Sequence, residues 1–162
     1  MVDKSGSVPV QIEHLLGIVR RLRDPDQGCP WDVGQTFQSI VPHTIEEAYE
    51  LADAIESNDF DQIREEAGDV LFQVLFYAQM ADEKQHFNFA DVVEGLSKKL
   101  VRRHPHVFSR NCNTQQEAPI GVSDVADSWE KIKRTERQRK HQSGILDDIP
   151  VNLPALTRAQ KI

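Results

Sequence analysis

The sequence predicts an all-α chain: a helical bundle built on an antiparallel helix hairpin and completed by dimerisation. Three observations carry this. No stretch alternates cleanly between apolar and polar residues, and no Asn-Gly or Asp-Gly pair offers a strand-to-strand turn. Apolar residues recur instead at helical spacing. The run Val70 to Ala78 (Val-Leu-Phe-Gln-Val-Leu-Phe-Tyr-Ala) is apolar on nearly every side. A helix of that kind needs neighbours on several faces, and a second copy supplies what the chain lacks.

The elements follow in order. Ile12, Leu15, Leu16, Val19 and Leu22 form one helical stripe, which Asp24-Pro25 ends. Asp24 to Thr36 reads as a loop, with Pro25, Gly28, Pro30 and Gly34. A second helix spans about Thr36 to Ser57, with a kink or restart expected at Pro42. Ser57-Asn58-Asp59 turns the chain into a third helix, about Asp61 to Ala81. Asn88 caps a fourth, which ends near Arg103 and is stopped by His104-Pro105-His106. Ser109 to Val122 reads as loop, and Asp124 to Lys140 as a charged fifth helix. From Ser143 the chain carries Gly144, Pro150 and Pro154 and reads as a linker, residues 143–162, after one domain, residues 1–142. Leu156 to Ile162 begins a further helical pattern.

Composition narrows the class. The 162 residues hold 19 lysines and arginines against 26 acids, a net charge of −7. That balance argues against a nucleic-acid surface built on net charge. It leaves open a phosphate-bearing small molecule, because a bound cation reverses the local sign. No apolar run approaches the roughly 20 residues that span a bilayer. Met1 to Val10 has no apolar stretch, so no signal peptide is expected there, and Cys29 and Cys112 are expected as reduced thiols in a cytosolic protein.

The hairpin carries the chemistry. Its first helix holds Glu46, Glu47, Glu50 and Asp53; its second holds Glu65, Glu66 and Asp69. Glu47 and Glu50 share a face at i,i+3, as do Glu66 and Asp69. Glu47 and Asp69 stand at equal distances on either side of Asn58, and so do Glu50 and Glu66. Folding the hairpin at Asn58 therefore sets both pairs at matching heights, and four carboxylates can converge. A solvated acidic face is the plainer alternative for the first helix alone. Beside a buried helix, converging like charges are costly. Only Arg64 is near enough in sequence to offset them, so a hard divalent cation is the better remedy: Mg²⁺, or Mn²⁺.

Glu46-Glu47-Ala48-Tyr49-Glu50 followed by Glu66-Ala67-Gly68-Asp69 resembles the EExxE…ExxD motif of the MazG family, which are all-α nucleoside triphosphate pyrophosphohydrolases. Gly28-Cys29-Pro30-Trp31-Asp32 with Gln35-Thr36 is similar to the segment ahead of that motif. Arg102 to Phe108 and Trp129-Glu130-Lys131-Ile132-Lys133 are similar to its later basic segments, and Leu146 to Leu156 to the region joining two MazG modules. The resemblance runs from about Gln11 and implies the N-terminal module of a two-module protein. It implies Mg²⁺-dependent hydrolysis of a nucleoside triphosphate to the monophosphate and pyrophosphate, with Glu47, Glu50, Glu66 and Asp69 as metal ligands. Glu46 is either a supporting group that orients a water or a surface acid.

The resemblance also favours Lys99 and Arg103, i and i+4 on one helix, and Trp129 and Lys133, spaced alike on the next, as substrate contacts. Each has a plainer alternative. Lys98, Lys99, Arg102 and Arg103 complement a helix C-terminus, worth about 0.3–1 kcal/mol each, and Trp129 anchors an amphipathic helix. Gln62 stands where active modules can carry Lys, which suits a weakly active or inactive dimerisation module supporting a second, catalytic one. Trp31 is either a base-stacking residue or, preferably, a loop aromatic packed on the bundle. His104 and His106 suit a structural turn rather than a metal site. A P-loop is absent, and neither Glu47 nor Glu66 is followed at the third residue by the His that a di-iron bundle needs. Nothing selects a base or a sugar.

Overall fold

The computed structural model describes residues 7–108, 121–139 and 149–160, and among these every regular element is helical. The chain divides into two compact units, residues 1–95 and residues 96–162.

The first unit is built on α1 (Val8–Leu22), α3 (Phe37–Ser57) and α4 (Phe60–Glu83). Pro9 opens α1, where its missing N–H costs nothing. Thr36 caps α3 through a box with Ser39: Ser39 N–H donates to Thr36 Oγ1 at 3.2 Å, and Thr36 N–H to Ser39 Oγ at 2.9 Å. Pro42 neither ends nor restarts α3. It lies early in the helix, where it deletes one ladder bond, and α4 packs against the element. Asn58, left-handed at φ 55°, ends α3, and Asp59 Oδ1 accepts from Asp61 and Gln62 N–H to start α4 one residue earlier than the sequence suggests.

Val19, Ile40, Leu75, Phe76 and Met80 form the core, with Leu15, Leu16, Phe37, Leu71, Phe72, Tyr77 and Phe89 packed around them. The stripe expected on α1 thus faces α4. Thr44 Oγ1 and the Tyr77 hydroxyl meet at 2.8 Å, and Phe37 stacks on Tyr77. All of this lies in the half of the hairpin away from its turn.

The segment expected as pure loop contains a short helix, α2 (Pro30–Val33). Four residues carry no period to read, and the Pro at its start is its one signal. The bend before it is fixed by backbone geometry. Asp24 Oδ1 accepts from Asp26 and Gln27 N–H, and these bonds hold its carboxyl below the usual range. A Cβ on Gly28 would stand 2.4 Å from the carbonyl oxygens of Asp24 and Leu22, so only glycine fits. Arg23 ties the bend down. It donates Nε and Nη2 to Glu83 (2.8 and 2.7 Å) and Nη1 to the Asp32 carbonyl (2.6 Å), while its guanidinium lies over Phe76.

Helix α5 (Phe89–Arg103) crosses the division at residue 95. Asn88 caps it as expected, its Oδ1 accepting from Ala90 and Asp91 N–H, and Asp91 Oδ2 accepting in return from Asn88 N–H. The second unit continues through α6 (Pro105–Phe108), α7 (Val122–Arg139) and α8 (Ala155–Ala159). The His104-Pro105-His106 stop is therefore brief, because Pro at a first helical turn permits a restart. Helix α8 realises the pattern read from Leu156. The loop read at 109–120, the end of the fifth helix at Lys140 and the start of the linker at 143–148 lie outside the described residues.

Two glycines give opposite expectations. Gly17 is exposed on α1 and a Cβ there meets nothing within 4 Å. Gly17→Ala raises the unfolding free energy by about 0.5–1 kcal/mol, whereas Gly28→Ala lowers it by more than about 2 kcal/mol. Urea titration of both variants checks the pair.

Candidate functional site

The distal half of the hairpin is where the acids meet. Carboxylate oxygens of Glu47, Glu66 and Asp69 lie within 4.8 Å of one another. Glu47 and Glu66 are half-buried and Asp69 is exposed. Partial burial, then the charges of Asp69, Glu50 and Glu66, push the Glu47 carboxyl up from its ordinary value. Glu66 is pushed up in the same way, by desolvation and then by Glu50 and Asp69. The strongest neighbouring charge on Glu47 is Asp69, and on Glu66 it is Glu50. These are the two pairs placed at equal distances from Asn58.

The structure does not gather all five acids. Glu50 faces the group closely enough to raise both glutamates but stays outside the 4.8 Å set, because an exposed carboxylate among like charges swings into solvent. Glu46 points elsewhere, 3.5 Å from His43 Nδ1. Arg64, the base expected to help, pairs with Asp61 at 2.9 Å. Among the described residues, no Lys, Arg or His forms an ion pair with Glu47, Glu66 or Asp69.

That donor set suits a hard divalent cation. It is all oxygen, without sulfur or imidazole, the donor chemistry that Mg²⁺ and Mn²⁺ take.

Within the second unit, three of the four predicted substrate contacts come together. Lys133 Nζ lies 4.7 Å and the Arg103 guanidinium 6.0 Å from the Trp129 ring centroid, two cations over one ring. His104 tilts against the same ring, and its Nδ1 lies 2.7 Å from the Leu100 carbonyl, in keeping with a structural role at the helix end. Trp129 is 36 % exposed, so its indole is not the buried anchor of α7. Lys99, one turn before Arg103, is half-buried.

Sequence reasoning passed over Glu136. Its carboxylate receives Arg102 Nη2 and Arg103 Nη2, both at 2.6 Å, and these bonds hold its carboxyl down to about 2. The signal was available: Trp129, Lys133 and Glu136 recur at i, i+4 and i+7, which is one helix face. Trp31, expected against the bundle, is 54 % exposed and meets only the edge of His43 among rings.

Comparison with known proteins decides the family. Residues 35–108 match the MazG nucleotide pyrophosphohydrolase domain. A nucleoside triphosphate pyrophosphohydrolase of Escherichia coli is 55 % identical over 152 residues, which is 94 % of this chain and 56 % of that one. The chain belongs to the MazG family. A nucleoside triphosphate pyrophosphohydrolase/pyrophosphatase MazG of Thermotoga maritima is 43 % identical over 153 residues, 94 % of this chain and 55 % of that one. This MazG chain thus spans little more than half the length of either relative. The crystal structure of a mazG-related protein from Thermotoga maritima superposes with a TM-score of 0.59 at 26 % identity, covering 75 % of this chain and 98 % of that one. The matched MazG domain includes Glu47, Glu50, Glu66, Asp69, Lys99 and Arg103, and ends before Trp129 and Lys133.

The raised acids have a pH signature. Above the ordinary glutamate range the fold holds Glu47 and Glu66 ionised against their preference. Their contribution is most favourable below about pH 4 and is lost as pH rises through the raised folded-state values. In EDTA, Glu47→Gln is therefore more stable than the parent at pH 8, and the difference narrows toward pH 4. Glu136 acts oppositely: its stabilisation is present above the ordinary range and is lost between about pH 4.5 and its folded value of about 2. Denaturation midpoints across pH check both signs.

Proposed function

We propose that this chain hydrolyses nucleoside triphosphates to nucleoside monophosphate and pyrophosphate, with Mg²⁺ held by Glu47, Glu66 and Asp69 and completed by Glu50. The observation that carries this reading is three carboxylates within 4.8 Å, with no base paired to them among the described residues, on a chain whose relatives are named for that reaction. The cation, when bound, supplies relief of phosphate charge and a more acidic water; Mn²⁺ fits the same donors.

The chain's own residues do the rest by positioning. Attack at the α-phosphorus needs an oriented water and a stabilised leaving group, and little covalent chemistry. Arg103, Lys99 and Lys133 are the proposed phosphate contacts, and the partly exposed Trp129 is the proposed base contact. Glu46, turned toward His43, fits a surface acid better than a water-orienting group.

A second reading keeps one supporting observation. Ile45, Tyr49, Ile55 and Phe60 are all exposed along the distal hairpin, which suits packing against a second copy. The chain is accordingly proposed as a homodimer or higher homo-oligomer. As a module of residues 1–142 followed by a linker, it would support a second, catalytic module if its own activity were weak, as Gln62 suggests. No membrane span is found among the described residues, and a cytoplasmic location with no direct nucleic-acid binding is part of the proposal.

Pyrophosphate release from a panel of triphosphates tests the reaction. The parent chain is active with Mg²⁺, and Glu50→Gln and Asp69→Asn each lose about a hundredfold or more. Mg²⁺ at ten times its dissociation constant adds about 1.4 kcal/mol of stability, a rise in melting temperature of roughly 3–6 °C, which both variants abolish. A melt indifferent to Mg²⁺, with no turnover, favours the assembly role. Light scattering gives at least a dimer at micromolar concentration.

A further inference from the structure

The basic cluster of the second unit contains one acid that no phosphate-binding role explains. Glu136 Oε1 receives Arg102 through Nε and Nη2 (2.9 and 2.6 Å). Glu136 Oε2 receives Arg103 through Nη2 and Nε (2.6 and 3.2 Å). A single carboxylate thus takes the side edge of two adjacent guanidinium groups at once. Its side chain is only 16 % exposed, whereas Arg102 is 48 % exposed.

Two consecutive arginines do not share a direction unaided. Their side chains leave the helix about 100° apart, their charges repel, and each has many rotamers. Two charge-assisted bonds from each guanidinium edge, converging on one carboxylate oxygen apiece, restrict that freedom. The result is visible in Arg103, which lies over Trp129 while Lys133 covers the same ring and is itself held by Glu130 at 3.0 Å.

We propose that Glu136 is a positioning residue for phosphate recognition, gripping Arg102 and Arg103 so that the Arg103 guanidinium is fixed beside Trp129 before substrate arrives. The inference rests on the reading of Arg103 as a phosphate contact. It adds that the contact's strength depends on an acid, a residue type that by charge alone should oppose phosphate. Ordering one long side chain in advance spares the ligand that cost, and the gain is about two- to tenfold in affinity.

The test is calorimetric titration of inorganic tripolyphosphate, with Mg²⁺, into the 162-residue chain, together with the Arg Nε–H signals in nitrogen–proton correlation spectra. Arg103→Ala weakens binding by tenfold or more. Glu136→Gln weakens it about two- to tenfold, its kcat changes less than its KM, and the sharp Arg103 Nε–H signal of the parent broadens. Glu136→Asp, which keeps the carboxylate, recovers part of the loss and carries the test alone if the Gln variant does not fold. Arg103→Lys keeps the charge but not the fork, and combining it with Glu136→Gln costs less than the two losses together. Unchanged or tighter tripolyphosphate binding in a folded Glu136→Gln, while Arg103→Ala stays weak, overturns the proposal: Glu136 is then a clip between helices or a competing anion. If Arg103→Ala binds as the parent does, the assignment of Arg103 falls instead, and this role of Glu136 with it.

Discussion

The first unit depends on the two residues between α3 and α4. Asn58 takes the left-handed conformation, and Asp59 turns its carboxylate onto the next two N–H groups. A link this short leaves the helices no freedom to slide. Ile40 therefore meets Phe76 and Leu75 in the core at one end, and Glu47 meets Asp69 at the other. Sliding by one residue would turn both faces, so apolar packing and the meeting of carboxylates are consequences of one register. Each large apolar side chain buried at the core end contributes about 1.5–3 kcal/mol. The proximal half thereby holds in place a distal half that is electrostatically unfavourable by itself.

The bend from Arg23 to Asp32 shows a different economy of structure. Glycine is required at 28 because two carbonyl oxygens occupy the space of its Cβ. Arg23, nearly buried, satisfies those constraints from the other side by joining Glu83 on α4 to the Asp32 carbonyl. Paired charges with several hydrogen bonds tolerate burial where a lone one does not. The helix carrying Glu66 and Asp69 is in this way braced at its far end, and the exposed Trp31 is presented from a fixed turn rather than a loose loop.

The sequence made some of this legible and concealed the rest for identifiable reasons. Helical period, the Asn58-Asp59 turn and the counting of residues about it are local, and they suffice to pair Glu47 with Asp69 and Glu50 with Glu66. Spacing assigns a face and not a rotamer, so it could not show that Glu46 turns to His43 or that Glu50 stands outside the tight group. Helix α2 was missed because four residues have no period. The exposure of Trp31 and the pairing of Glu136 depend on neighbours distant in sequence, and a one-dimensional pattern lists candidates for such contacts without choosing among them. Arg64 illustrates the point: nearest in sequence to the acids, it is taken by Asp61 one turn away.

Net charge is equally uninformative until it is localised. A chain at −7 should on balance repel polyphosphates. The fold sorts the charges. Glu47, Glu66 and Asp69 gather with no base paired to them among the described residues, while Arg102 and Arg103 converge on one acid and Lys133 stands over Trp129 with Arg103. The first arrangement suits a cation and the second, within its own unit, suits an anion, so net charge alone says nothing of what either cluster attracts.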